Sequence, residues 1–152
     1  MNKVIISDTS CLIALSRIGR IDILQKVFSI VYTTEIVAKE FEEILPDWVA
    51  VKNFNDYAQF EHLKLILDAG EASAIALALE TANSILVIDE KKGRKVAADM
   101  NVTIIGTLKV LLIAKNKGVI DSVKSLIEEL QIHSFRFNKA IVDEVLRLAG
   151  EK

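Results

Sequence analysis

Hydrophobic residues along this chain fall into two kinds of pattern. Val4-Ile5-Ile6-Ser7 and Ile85-Leu86-Val87-Ile88 are near-continuous runs of strand length, and each stops at an aspartate, Asp8 and Asp89. Runs of that kind suit strands buried on both faces, as in a parallel sheet covered by helices. Elsewhere the period is helical. It predicts short helices over residues 10–17 and 20–27, broken at Gly19, followed by a brief strand over 29–32. Thr34 can cap a helix reaching residue 45, just before Pro46, the single proline. A short strand fits residues 49–52 within an ambiguous stretch, and Phe60, Leu63 and Leu67 mark a helix over 57–67. Gly70 then opens a helix that is Ala-rich and apolar on most sides from Glu71 to Glu80, which predicts its burial. An amphipathic helix over 91–100 and a strand over 102–105 follow. Gly106-Thr107 turns into a helix over 108–117, Asp121 can cap one over 122–130, and Asn138 one over 138–149, with Gly150 as its stop. Strands alternating with helices imply an α/β fold, with a mostly parallel sheet and helices on both faces.

Composition narrows the class. A length of 152 residues suits one domain, and an apolar content of 51% supplies a full core. No apolar run approaches the roughly 18 residues of a membrane helix. The start, Met1-Asn2-Lys3, lacks the apolar region and cleavage site of a signal peptide. Cys11 is the only cysteine, so no internal disulfide can form, and a cytoplasmic location is expected. One cysteine and two distant histidines, His62 and His133, also argue against zinc.

Four acids stand out. Asp8 and Asp89 sit at the C-terminal ends of the two strong strands, the edge where open α/β sheets place ligands. Asp8 could equally be a plain N-cap, and Ser10 could orient Asp8 or be the cap itself. Glu40 shares a helical stripe with Ile36, Val37, Phe41 and Ile44, where a carboxylate is costly unless paired. Its bland alternative is the edge of the stripe. Glu71 lies in a first helical turn, where an acid complements the macrodipole, but the helix behind it is expected to be buried. Glu90 is a fallback to Asp89, and Asp99 reads as helix surface. Four converging carboxylates need a counter-charge, and a divalent cation such as Mg²⁺ or Mn²⁺ is the usual one. That chemistry acidifies water and neutralises a scissile phosphate.

The net charge of −2 disfavours a nucleic-acid partner at first sight. If metal holds four of the 21 acids, 17 remain against 19 basic residues, a surface compatible with RNA or DNA. Lys91, Lys92, Arg94 and Lys95 directly after Asp89 are candidates for holding RNA phosphates; the alternative is the solvated face of an amphipathic helix. Cys11 is most simply a small core residue. Trp48 reads as loop packing or a stacking residue. The helix carrying Leu108, Val110, Leu111, Leu112 and Ile113 is either deeply buried or part of a dimer face.

Taken in order, Ile6-Ser7-Asp8-Thr9-Ser10, Val37-Ala38-Lys39-Glu40-Phe41, the stretch from Leu67 to Ala78 with its Gly70-Glu71 pair, and Leu86-Val87-Ile88-Asp89-Glu90 resemble the PIN-domain family. Lys92-Gly93-Arg94-Lys95-Val96-Ala97 and Gly106-Thr107-Leu108 resemble one prokaryotic branch of it. The resemblance spans nearly the whole chain. It implies a three-layer α/β/α fold and an Mg²⁺- or Mn²⁺-dependent ribonuclease whose acidic quartet is Asp8, Glu40, Glu71 and Asp89. Many small prokaryotic members are VapC-like toxins, often homodimers, silenced by a small antitoxin protein. One departure is the third acid, here in a Gly-Glu pair, where the better-studied toxins carry an aspartate further into the helix. An RNA-processing nuclease without antitoxin and a non-catalytic binding domain remain the alternatives. A haloacid-dehalogenase-type phosphatase would need an aspartate where Ser10 stands, and a receiver domain a second acid near the first strand. The tail beyond Gln131 matches no catalytic motif, and its helix over 138–149 is expected to be a packing or partner element.

Overall fold

The computed structural model describes residues 3–152, so Met1 and Asn2 of the N-terminal reading lie outside it. The first half comprises β1 (Val4–Ser7), α1 (Thr9–Arg17), α2 (Asp22–Val27), β2 (Ile30–Thr33), α3 (Glu35–Phe41), β3 (Val49–Val51) and α4 (Tyr57–Lys64). The second comprises α5 (Ala69–Leu79), β4 (Ser84–Val87), α6 (Lys91–Asp99), β5 (Ile104–Ile105), α7 (Thr107–Asn116), α8 (Val123–Ile132) and α9 (Lys139–Leu148). The strands form one parallel sheet in the order β3-β2-β1-β4-β5.

Alternation along the strands sorts the core into two layers. Ile5, Val31 and Val87 join α1, α2, α7 and α8 on one face. Ile6, Leu86 and Ile88 join α4, α5 and α6 on the other. The apolar runs are continuous because both faces of β1 and β4 are covered, which is the α/β sandwich expected from the pattern. The Ala-rich α5 is buried from Ala72 to Ala78, as its composition predicted. The alternatives for α7 resolve toward burial: Leu108, Val110, Leu111, Leu112 and Ala114 are covered within the chain, with α2, α8 and α9 packed on the helix.

The strand order fixes where a site can lie. From β1 the chain moves outward through β2 to β3, then returns to the other side of β1 with β4 and moves out to β5. The direction reverses between β1 and β4, and in open parallel sheets the crevice beyond the strand ends at that point receives ligands. Ser7 stands directly opposite Val87 there, so Asp8 and Asp89 leave adjacent strands.

Several boundaries differ from the sequence reading. The helix begun at Thr34 stops at Phe41, because Glu42 takes a left-handed conformation with φ 61°. Ile44, which would have extended its apolar stripe, is 97% exposed. The helix expected over 57–67 ends at Lys64, since Asp68 must be extended to cap α5. The strand expected over 102–105 pairs only at Ile104–Ile105. Ser122, and not Asp121, caps α8, accepting from the Ser125 N–H at 3.1 Å.

Candidate acidic active site

Asp8 leaves β1 in an extended conformation, which turns its side chain back over the first turn of α1. Its Oδ1 accepts the Cys11 N–H at 3.0 Å, so the bland N-cap role is real. The cap does not offset its surroundings. Asp8 is only 3% exposed. Burial, reinforced by the charges of Asp89 and Glu71, pushes its carboxyl up to about 8 despite the Cys11 N–H.

Glu71 sits half-buried in the first turn of α5. Burial first, then the neighbouring charges of Asp68 and Glu90, push it up to about 7. Asp68 is the N-cap of that helix and accepts the Glu71 N–H at 2.8 Å. Glu40 is exposed on the last turn of α3, which corrects the expectation that it lies within an apolar stripe; Val37 and Phe41 are buried there and Ile36 is partly buried against the core. Thr9, the residue after Asp8, donates its hydroxyl to Glu40 Oε1 at 2.6 Å. Asp89 is exposed beyond β4 and doubly held by Thr107, whose N–H donates to Oδ1 at 2.8 Å and whose hydroxyl donates to Oδ2 at 2.5 Å.

Three glycines make room for three of these acids. A Cβ on Gly70 would fall on the Glu40 carboxylate. On Gly93 it would lie 3.0 Å from Glu71 Oε2, and on Gly106 2.9 Å from Asp89 Oδ1. Glu40 therefore rests against the residue before Glu71 and bonds the residue after Asp8. Asp89 and Glu71 act on Asp8 through their charge. All four carboxylates belong to one corner of the sheet edge. Buried hydroxyls brace the elements behind them: Thr34 and Ser73 meet at 2.7 Å between α3 and α5, and Thr33 donates to the Ser7 carbonyl at 3.0 Å.

As placed, no three acids, histidines or cysteines among the described residues enclose a metal site. Glu40 is drawn to Thr9 and Asp89 to Thr107. The donor set is nevertheless all carboxylate, the chemistry of a hard divalent cation, and burial makes two of its members, Asp8 and Glu71, costly to ionise unless a positive charge joins them. Donor chemistry fits such an ion.

The other candidates separate. Ser10 lies within α1 and lines a groove next to Asp89; it does not cap the helix. Glu90 occupies the N-cap position of α6 without a side-chain cap bond. Lys91 and Lys92 are exposed, whereas Arg94 donates to the Ile88 carbonyl at 2.8 Å and Lys95 pairs with Asp99 at 3.2 Å. Trp48 packs against the larger core cluster. Cys11 is fully buried and burial pushes its thiol up, which makes it an inert core residue. The roles of Thr9, Asp68, Gly93 and Thr107 did not emerge from the sequence. Only Asp68 carried a local signal, since Asp-x-x-Glu before an apolar run is a capping pattern.

A parallel α/β/α sandwich with an acidic corner at its topological switch point is the architecture of a family of nucleases. The PIN-domain family model matches residues 4–151, and the chain belongs to that family. No curated protein matches the chain. PIN-domain nucleases typically use divalent metals and act on nucleic acid. No helix among the described residues is long and apolar enough to cross a membrane.

Proposed function

We propose that this chain, acting as a single PIN-like domain, is an Mg²⁺- or Mn²⁺-dependent endoribonuclease with Asp8, Glu40, Glu71 and Asp89 as its metal-holding and catalytic acids. The observation that carries the reading is Asp8: a carboxylate buried at the switch point, with two further acids bearing on it and no basic side chain bonded to it. None of the four acids forms an ion pair with a described cation, unlike Glu151, which pairs with Lys115 at 2.9 Å.

A bound divalent ion supplies positive charge against the scissile phosphate and a more acidic water. The chain's own residues do the rest. Asp8 and Glu71 give up protons as the site fills, so binding should release protons and weaken as pH falls. Thr9 and Thr107 hold Glu40 and Asp89, two of the acids that would hold the cation. Glu90 adds negative charge near Glu71, and Ser10 offers a hydroxyl beside Asp89. Lys91 and Lys92 supply free positive charge for phosphates next to the site, with Arg94 and Lys95 in lesser roles. The role of toxin in a type II toxin–antitoxin pair, a small antitoxin partner and a homodimeric state rest on the family resemblance of the motifs, and a cytoplasmic setting rests on the single cysteine.

The test is calorimetric titration of Mn²⁺ into wild-type and Asp8→Asn protein, with RNA cleavage assayed on the same samples. Binding and cleavage should vanish together in the variant. Partner-free wild-type protein that neither binds Mn²⁺ nor cuts RNA would overturn the reading and leave a non-catalytic binding domain. Cleavage without any toxicity or adjacent antitoxin would leave an RNA-processing nuclease.

A further inference from the structure

A groove of about 730 Å³ begins at Asp89 and runs between α6, α7 and the segment that joins α8 to α9. That volume is within the range of roughly 300–1,000 Å³ typical of ligand sites. Its lining combines two chemistries. Phe135 and Phe137, both half-buried, provide aromatic surface over a floor that includes Ala14 and Leu108. Lys91, Arg94, Lys109 and Arg136 provide positive charge, and Asp89 is the single acid among the described lining residues.

Three of these four cations carry no partner of their own, unlike several elsewhere on the surface. Lys95, Lys139 and Arg147 are each paired with an acid one helical turn away. Lys91, Lys109 and Arg136 bond to no other described residue. Unpaired cations around aromatic surface suit an anionic polymer with flat apolar groups, which is a nucleic-acid strand with unpaired bases. A duplex would offer its phosphates to the cations but keep its bases stacked out of reach of Phe135 and Phe137. An acidic peptide would match the charge, yet nothing in it calls for continuity with the acid corner. A strand entering that corner must leave it along some path, and the groove opens at Asp89.

We propose that this groove is a single-strand track: it receives the nucleotides on one side of the phosphodiester at the acid corner. Phosphates lie against Lys91, Lys109 and Arg136, and bases against Phe135 and Phe137. The C-terminal segment, which no catalytic motif explains, is then a substrate-binding element. The choice of polymer rests on the nuclease reading; the groove's ability to bind a strand does not.

The test is fluorescence anisotropy in EDTA with a labelled single-stranded RNA of roughly 12 nucleotides and with its duplex. Three variants are compared with wild type. Lys109→Ala with Arg136→Ala removes two cations. Phe135→Leu with Phe137→Leu removes the rings but keeps apolar packing on the core they touch. Lys124→Ala, an exposed cation of α8 outside the groove, is the control. The charge variant should bind the single strand about ten-fold more weakly, with a log–log salt slope shallower by about 1.4, or 0.7 per lost phosphate contact. The ring variant should lose about ten-fold on the single strand and nothing on the duplex. Wild-type affinity in both groove variants, or a wild type that does not hold the single strand, overturns the track and leaves the groove to a protein partner. Cleavage of the same RNA with Mn²⁺ is scored separately. Groove binding without cleavage sinks the nuclease reading alone; cleavage with unaffected groove variants sinks the track alone.

Discussion

Asp8 and Glu151 are both carboxylates set at the start of a helix, and their surroundings drive them in opposite directions. Glu151 reaches back from the chain's end to α8. It accepts the Val123 and Lys124 N–H groups at 2.7 and 3.1 Å, the Ser122 hydroxyl at 2.8 Å and the Lys115 ammonium at 2.9 Å. Burial alone would raise its pKa, but the Val123 N–H, Lys115 and the other donors pull it down to about 2. Asp8 has only backbone N–H groups, those of Cys11 and Asp89, to set against burial and the charges of Asp89 and Glu71, and it rises to about 8. The same residue chemistry is thus complete at one end of the fold and incomplete at the other. A carboxylate that only holds structure finds its donors within the chain. One left short of them at a sheet switch point marks a place for something the chain itself does not carry.

The largest effect that would break this contrast concerns pH. Asp8 has a folded pKa raised above its ordinary 3.8, so its ionisation costs stability. The cost is fully present above about pH 8 and is relieved as pH falls to the ordinary value of 3.8, below which both folded and unfolded forms are protonated. Glu71, raised to about 7, acts in the same direction between its ordinary 4.5 and 7. Metal-free wild type should therefore melt at a higher temperature near pH 5 than near pH 8.5, by several kcal/mol in stability. Asp8→Asn should flatten that dependence and be the more stable protein at high pH, because asparagine keeps the cap on α1. Thermal melts across pH, with EDTA present, decide it; an asparagine variant less stable than wild type at pH 8.5 would make Asp8 a structural acid like Glu151.

Glu151→Ala is the mirror experiment, and its effect should be about 2 kcal/mol of lost stability, the usual scale for a helix cap with a charged partner. Its sign with pH is opposite. The contribution of a depressed carboxylate is present above the unfolded value, 4.5, and is lost as pH falls toward about 2. Chemical denaturation at pH 7 and at pH 3 should show the difference between wild type and variant shrinking in acid. Cleavage should be untouched. A variant that folds normally but no longer cuts RNA would couple the clasp to the acid corner and erase the distinction.

A smaller change probes the space around the acids. Alanine normally favours a helix over glycine by about 1 kcal/mol, so Gly93→Ala in α6 ought to stabilise. Here the new Cβ would lie 2.7 Å from Ile88 Cδ1 and 3.0 Å from Glu71 Oε2. The propensity gain should be offset by that crowding, and Glu71 displaced. Mn²⁺ affinity should fall about ten-fold, at the lower end of what outer-sphere changes cost a metal site. Calorimetry showing unchanged affinity would mean that Glu71 is not a ligand.

These contacts explain which parts of the molecule were legible in the sequence. β1 and β4 were, because burial on both faces leaves an uninterrupted apolar run, and Asp8 and Asp89 were visible as the residues that end it. Glu71 stood out because it opens a helix with almost no other polar side. Glu40 was placed in the correct element for the wrong reason. The stop at Phe41 depends on a left-handed Glu42, which no glycine or proline announces, and without it Glu40 reads as part of a longer stripe. Thr9 and Thr107 were silent because their partners, Glu40 and Asp89, lie 31 and 18 residues away. Gly70, Gly93 and Gly106 could be seen as recurring motif positions, but the need for them arises only when another segment's carboxylate arrives where their Cβ would be.

The smallest effect separates two lysines that look equivalent in sequence. Lys91 and Lys95 both follow Asp89 on α6 and both are exposed. Lys95 bonds Asp99 at 3.2 Å, one turn on, so its charge is already matched within the helix. Such exposed pairs are worth only about 0.3–0.5 kcal/mol, and breaking one barely touches the fold. Lys91 opens the helix beside Asp89, lines the groove and bonds to no other described residue. Lys91→Ala should weaken single-stranded RNA binding in low salt and make the salt slope shallower by about 0.7, one phosphate contact. Lys95→Ala should leave the slope as it is, because Asp99 already screens the charge from the strand. Equal losses in the two variants would mean that a diffuse positive field, with no placed contact, draws the polymer to this edge.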